Sequence, residues 1–247
     1  MYYYIYDAAL ADKKYSKIVA RIENRLTDLG INGKIHRLSF LKNIQQILIE
    51  EFRRGIKTVV VVGTDRTLGQ IINLLPDFEN ITIGFIPVES THIASCLNIP
   101  IEEKACDTLS QRIVRQINLA KINDAYFLSA LEINGGKFSL ECDNNYFLTL
   151  EEKNNRVLIE NINRISYEQD ILSDNLFDVH ITTTKKHLFK SEISSSTLKN
   201  AQIKVTATEP LNIILHDEKK IIKTPAKIEI TPQTIKMIIG KTANYTK

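Results

Sequence analysis

KTVVVVGTDRTLGQIINLL, residues Lys57 to Leu75, is the stretch whose reading decides how this chain folds. Val59, Val60, Val61 and Val62 form a β-branched run of the kind that suits a strand covered on both faces in a parallel sheet. Gly63-Thr64-Asp65-Arg66-Thr67 breaks the run, and Leu68, Ile71, Ile72 and Leu75 then recur at helical spacing. Strand, tight polar loop and helix in that order place a ligand site at the carboxyl end of the strand. Amides at the helix start favour phosphate, and Asp65 has the chemistry to hold a metal ion or a hydroxyl group. Read more plainly, the same residues make an ordinary βα connection with Thr67 as the helix N-cap.

Working outward, Tyr2 to Tyr6 reads as a first strand and Tyr15 to Leu29 as a helix, with Ile18, Val19, Ile22, Leu26 and Leu29 on one face. Gly30 stands where a left-handed C-cap belongs, and Gly55 does the same for a helix from Phe40 to Arg54 that Ser39 caps. Lys34 to Leu38 and Ile81 to Ile86 supply two more strands, and Glu102 to Lys121 a further helix with Ala105, Leu109, Ile113 and Ile117 on its apolar face. Strands alternating with helices imply a mostly parallel sheet with right-handed crossovers. From about Asn123 the period shortens to two. Ala125 to Ile133, Lys137 to Cys142, Tyr146 to Leu150, Arg156 to Ile165, Val179 to Thr184, Ala201 to Thr208, Leu211 to His216 and Ala226 to Ile230 read as strands, with a turn near Thr234. The expected fold class is therefore α/β: a parallel sheet flanked by helices over residues 1–123, then a strand-rich, β-sandwich-like domain over 124–247.

Composition narrows the function. A net charge of +3, with no Arg-rich tract and no zinc-knuckle spacing, argues against a nucleic-acid partner. Cys96, Cys106 and Cys142 are odd in number and scattered, which predicts buried thiols in a reducing cytosol. The aromatic start MYYYIYDAAL lacks the basic n-region of a signal peptide. No apolar run reaches the roughly 20 residues that span a bilayer. The chain reads as cytoplasmic, and any membrane contact as peripheral.

VVVVGTDRTLGQIIN resembles the GGDGT segment shared by diacylglycerol kinases, sphingosine kinases and NAD kinases. Gly63, Asp65 and Thr67 match it, while Thr64 and Arg66 stand where the family has glycines. IGFIPVESTHIASCLNIP resembles a second segment of that family, with Ile86, Pro87, Ala94, Leu97, Ile99 and Pro100 in its frame. Its glycine-rich centre is replaced by Glu89-Ser90-Thr91-His92-Ile93. Asp7 takes the place of an asparagine that follows the first strand. Ser173 to Val179 looks like the D-D-G-L-L-D-V segment, and Ile213 to Glu218 followed by Thr224-Pro225 like the carboxyl-terminal V-D-G-E…P pattern.

The resemblance implies a lipid kinase that phosphorylates a lipid hydroxyl with ATP and Mg2+ in a cleft between the two domains. It implies Asp65, His216 and Glu218 as catalytic residues, His216 standing at the position of the family's base. Asp7, Gly63, Thr64, Arg66, Thr67, Glu89, Ser90, Thr91 and His92 would meet the nucleotide, and Asp174 and Asp178 a structural magnesium. Its partners would be nucleotide and lipid, with contact at the inner face of the membrane and homo-oligomerisation both compatible. Two other readings stay open: a catalytically impaired relative kept as a binding or regulatory module, and a kinase of a soluble acceptor like the NAD kinases.

Overall fold

The computed structural model describes residues 1–39, 44–75, 80–151, 154–163, 175–186 and 191–241. It has two compact units. The first gathers Met1–Ile117 and the chain from Thr234 onward, the second Asn118–Asn163 and the chain up to Gln233.

In the first unit, strands β1 (Tyr2–Tyr6), β2 (Lys34–Arg37), β3 (Thr58–Gly63) and β4 (Thr82–Pro87) form a parallel sheet in the order β2-β1-β3-β4. Val59 to Val62 are wholly buried, as a strand covered on both faces requires. Helix α1 (Ser16–Asp28) buries Ile22 and Leu26, and Gly30 follows it at φ 66°. Helix α2 (Ile44–Arg53) buries Leu48, and Gly55 follows at φ 89°. The expected start of that helix at Phe40, and with it the role of Ser39 as its cap, lies outside the described residues. Helix α3 (Asp65–Ile72) turns Leu68, Ile71 and Ile72 inward. The short α4 (His92–Cys96) and α5 (Glu103–Gln111) follow β4. Arg21 pairs with Glu102 and Glu103, and Arg25 with Asp107, so α1 and α5 are fastened side by side.

The helix expected from Glu102 to Lys121 ends ten residues early. Arg112 adopts the left-handed conformation at φ 52° and donates to the Tyr2 hydroxyl at 3.2 Å and to Thr58 Oγ1 at 3.1 Å. Val114–Ile122 is then a strand, β5. Ile113 and Ile117 lie four residues apart and mimic a helical stripe, but the main chain here finds partners in neighbouring strands, and tertiary pairing overrides the local pattern.

In the second unit, β7 (Ala130–Asn134), β10 (Asn155–Glu160), β11 (Phe177–Lys186), β12 (Ser191–Asn200), β14 (Leu211–Leu215) and β15 (Glu218–Ile222) form an antiparallel sheet in the order β12-β11-β10-β7-β14-β15. A second set of strands joins β8 (Phe138–Cys142), β9 (Tyr146–Leu150), β13 (Gln202–Thr206) and the first part of β16 (Ala226–Ile238), with β6 (Ala125–Phe127) pairing β5. One core draws on both sets, among others Phe127, Leu131, Ile159 and Phe177 with Leu140, Val205 and Ile228. The fold is mixed α/β with a strand-rich antiparallel second part, as expected. The strand expected from Ala125 to Ile133 is two strands, because Ser129 gives its carbonyl to the amides of Asn161 and Ile162. All three cysteines are free and buried.

The carboxyl-terminal segment, expected with the second domain, packs in the first unit. Instead of turning near Thr234, β16 runs on to Ile238, and Lys236 and Met237 pair in parallel with Thr82 and Ile83 of β4. The Ile239 amide donates to Ile113 and that of Gly240 to Leu97. A Cβ at Gly240 would overlap the Asn98 carbonyl. Gly240→Ala is expected to destabilise the protein by about 1–3 kcal/mol, since a rigid main-chain oxygen cannot yield as a side chain would. Urea unfolding checks this through a lower midpoint at unchanged slope.

Candidate functional site

The connection from β1 to β2 carries the chain to one side of β1, and the connection from β2 to β3 carries it back across to the other. The carboxyl ends of β1 and β3 are therefore a topological switch point, where open α/β sheets leave a crevice. A cavity of about 440 Å³ elsewhere in the unit lies beside Ser95 and Gln111, but the one at the switch point, about 430 Å³, gathers the residues of interest. Its polar lining is Asp7, Ser39, Arg66, Thr67 and Gln70, and its apolar lining includes Ala8, Leu38, Ile44 and Ile71. The size and the mix of apolar wall with a few polar anchors are those of a small-ligand site.

Asp7 is fixed from three directions. Its amide donates to Val62 of β3 at 2.9 Å, its Oδ1 accepts from the Ala9 amide at 2.7 Å, and its Oδ2 accepts from the Thr67 hydroxyl. Thr67 therefore sits inside α3 as a partner of Asp7, and the residue at the N-cap is Thr64, which makes no side-chain cap. Gly63 lies underneath: a Cβ there would come 2.8 Å from the Asp7 Cβ and 3.3 Å from Thr67 Oγ1. The glycine is what allows β1 and α3 to close on each other.

Asp65 is 1% exposed, and its Oδ2 accepts from the Ile93 amide at 2.9 Å. Ile93 stands in the first turn of α4, whose N-cap is Thr91, accepting from the Ala94 amide at 3.2 Å. Asp65 and Thr91 together anchor the start of α4. The Val88 amide ties the same loop to the Gly63 carbonyl at 3.1 Å. Glu89, Ser90 and His92 are exposed, and the His92 ring lies 3.8 Å from Cys96 Sγ. Of the residues expected to meet a nucleotide, Asp7, Arg66 and Thr67 line the cavity and Gly63 shapes it. Thr64, Glu89, Ser90, Thr91 and His92 do not line it.

The remaining expected residues belong to the second unit. Asp174 lies outside the described residues. Asp178, on β11, accepts from Asn163 Nδ2 at 2.8 Å and lies 3.6 Å from Lys199 Nζ. Among the described residues no group of three His, Cys, Asp or Glu side chains is arranged to hold a metal. His216 and Asp217 form the two-residue turn between β14 and β15, both left-handed at φ 52° and 59°. Glu218 follows and pairs with Lys220 at 3.2 Å. The His216 ring is buried, and its Nε2 has no hydrogen-bond partner among the described residues. Burial, reinforced by Lys220 and opposed by Glu218, pushes its pKa down to about 4.

Leu38, Ser39, Ile44 and Gln70 were not singled out by motif. The signal for the first three was positional, since the residues after β2 reach the same switch point. For Gln70 it was its place one helical turn beyond Arg66 and Thr67.

The family model for the diacylglycerol kinase catalytic domain matches residues 2–122. A curated diacylglycerol kinase of Bacillus subtilis strain 168 is 26% identical over 129 residues, which are 51% of this chain and 43% of that protein. The match thus spans less than half the length of that relative. A crystal structure of a diacylglycerol kinase from Bacillus anthracis Sterne superposes with a TM-score of 0.72 at 17% identity, covering 97% of this chain and 96% of the other. An NAD kinase from Archaeoglobus fulgidus in complex with ATP gives 0.56 at 14% identity, covering 99% and 95%. At these identities the structural likeness is one of fold.

The depressed pKa of His216 has a consequence for stability. The unfolded chain takes up a proton near the ordinary value of 6.5, the folded one only near 4. Between those values the unfolded state binds more protons, so stability falls as pH drops from about 6.5 towards 4. The loss is on the order of 3 kcal/mol if His216 acts alone. His216→Asn, which keeps a side chain tolerant of positive φ, is expected to flatten that part of a stability-versus-pH curve measured by urea unfolding.

Proposed function

We propose that this chain, whose residues 2–122 belong to the diacylglycerol kinase catalytic-domain family, is a phosphotransferase that binds ATP at the β1/β3 switch point and passes its terminal phosphate to a lipid hydroxyl. The observation that carries the reading is the cavity itself: a space of ligand size in which Asp7, Arg66 and Thr67 converge from two strand ends. In such a transfer the hydroxyl oxygen bonds to the terminal phosphorus, the bond to the bridging oxygen breaks, and ADP leaves. The protein's part is placement and charge. Asp7 and Thr67, held by each other, would orient the nucleoside end. Arg66, exposed at the rim, would clamp phosphate through its planar guanidinium. The acceptor hydroxyl loses its proton to solvent as the new bond forms.

One observation favours a second reading, a binding or regulatory module without transfer. The Asp65 carboxylate is buried, its Oδ2 accepts from the Ile93 amide, and it does not line the cavity.

Thermal unfolding with and without Mg-ATP tests the common premise. Nucleotide at 100 times its Kd is expected to add about 2.7 kcal/mol to the folded state, and no shift at millimolar ATP would overturn both nucleotide readings. Phosphorylation of diacylglycerol in vesicles separates them. Transfer by the wild type supports the kinase, with equal rates in Asp65→Asn removing Asp65 from its mechanism, whereas an ATP shift without transfer supports the module.

A further inference from the structure

The second unit carries a feature that its fold does not call for. β15 closes one edge of the six-stranded sheet, and its register against β14 sets Leu211, Ile213 and Leu215 opposite Ile222, Lys220 and Glu218. Those three β14 residues are buried, so the opposite face of β15 is the outer one. On it stand Lys219 and Ile221, and the alternation continues to Lys223, directly after the strand. Ile221 is 74% exposed, more than any other large apolar residue described except Met1. Both lysines are exposed and have no counter-ion among the described residues, whereas Lys220, on the inner side, pairs with Glu218.

Lysines on an edge strand are explained by protection of the edge against pairing with other strands. A projecting isoleucine between them is not, because it adds the apolar surface that such protection removes. We propose that the outer face of β15 docks the protein on an anionic lipid surface, with Ile221 entering the apolar boundary and Lys219 and Lys223 meeting the headgroups. Apolar and cationic groups side by side match an anionic bilayer, which offers hydrocarbon just beneath negative charge. A second copy fits less well, because pairing centred on Ile221 sets Lys219 against Lys223 of the copy, like charge on like. An acidic peptide would find no groove here, since the isoleucine projects outward. The inference does not depend on the nucleotide reading.

Co-sedimentation of the full chain with phosphatidylcholine vesicles, with and without phosphatidylglycerol, tests it. Binding is expected only with phosphatidylglycerol and to weaken as salt is raised. Replacing Lys219 and Lys223 together by alanine is expected to weaken partition about thirtyfold. The double arginine variant, which keeps both charges, should bind as the wild type does and guards against a folding defect. Ile221→Asp should abolish binding, and Phe147→Ala, at another exposed apolar position, should leave it intact. Equal binding to neutral vesicles, an unchanged double alanine variant, or binding to a polyglutamate peptide but not to vesicles would each overturn the proposal.

Discussion

The two-sided pairing of β1 is the constraint on which the first unit depends. Tyr3 to Tyr6 are bonded to Lys34 to Arg37 of β2 on one flank, and Tyr2 to Tyr6 to Thr58 to Val62 of β3 on the other. The chain must therefore cross over β1 between its second and third strands, and the crossing leaves the carboxyl ends without cover. What fills that gap is not free to vary. The Asp7 amide is spent on Val62, so its side chain is delivered over Gly63 and meets the hydroxyl that the first turns of α3 bring up. Ladder, glycine and threonine act as one device that places a carboxylate at the rim of a cavity.

Asp65 shows how the neighbouring loop is held. A buried carboxylate is costly unless hydrogen-bonded, and Ile93 supplies a backbone donor. The benefit runs the other way too. α4 has five residues, fewer than a helix needs to stand alone, and the amides of its first turn are met by Asp65 and Thr91. The acidic residue of the motif therefore has a structural duty whatever else it does, and its retention is not by itself a sign of chemistry.

Much of this was legible in the sequence, for definite reasons. The four-valine strand, the tyrosine strand and the left-handed glycines after α1 and α2 each have a local cause, either side-chain shape or backbone freedom. The alternating strands of the second unit read well because one face of each is buried. The failures have long-range causes. The residues after Gln111 leave the helix because Arg112 finds Tyr2 and Thr58, more than 50 positions away in sequence, and β16 outruns its expected end because β4 is there to pair with it. At the site, Asp7, Arg66 and Thr67 could be named from pattern. That Thr67 is a partner of Asp7 and not a helix cap, and that Asp65 reaches Ile93, depend on which loops meet in space, and spacing along the chain carries no information about that.

The positions where family glycines are replaced can be separated by the same geometry. Thr64 has extended backbone at φ −116°, and Arg66 is an ordinary helical residue with its side chain in solvent. Neither position needs a glycine to fold. Gly63 does, since a Cβ there would press on Asp7, and there the glycine is kept. Of these three positions, packing demands a glycine at residue 63 alone. Thr64 and Arg66 therefore leave the fold of the loop untouched. On the proposed reading, a phosphate at this rim would meet the Arg66 guanidinium, a side-chain donor that must be ordered when the ligand binds.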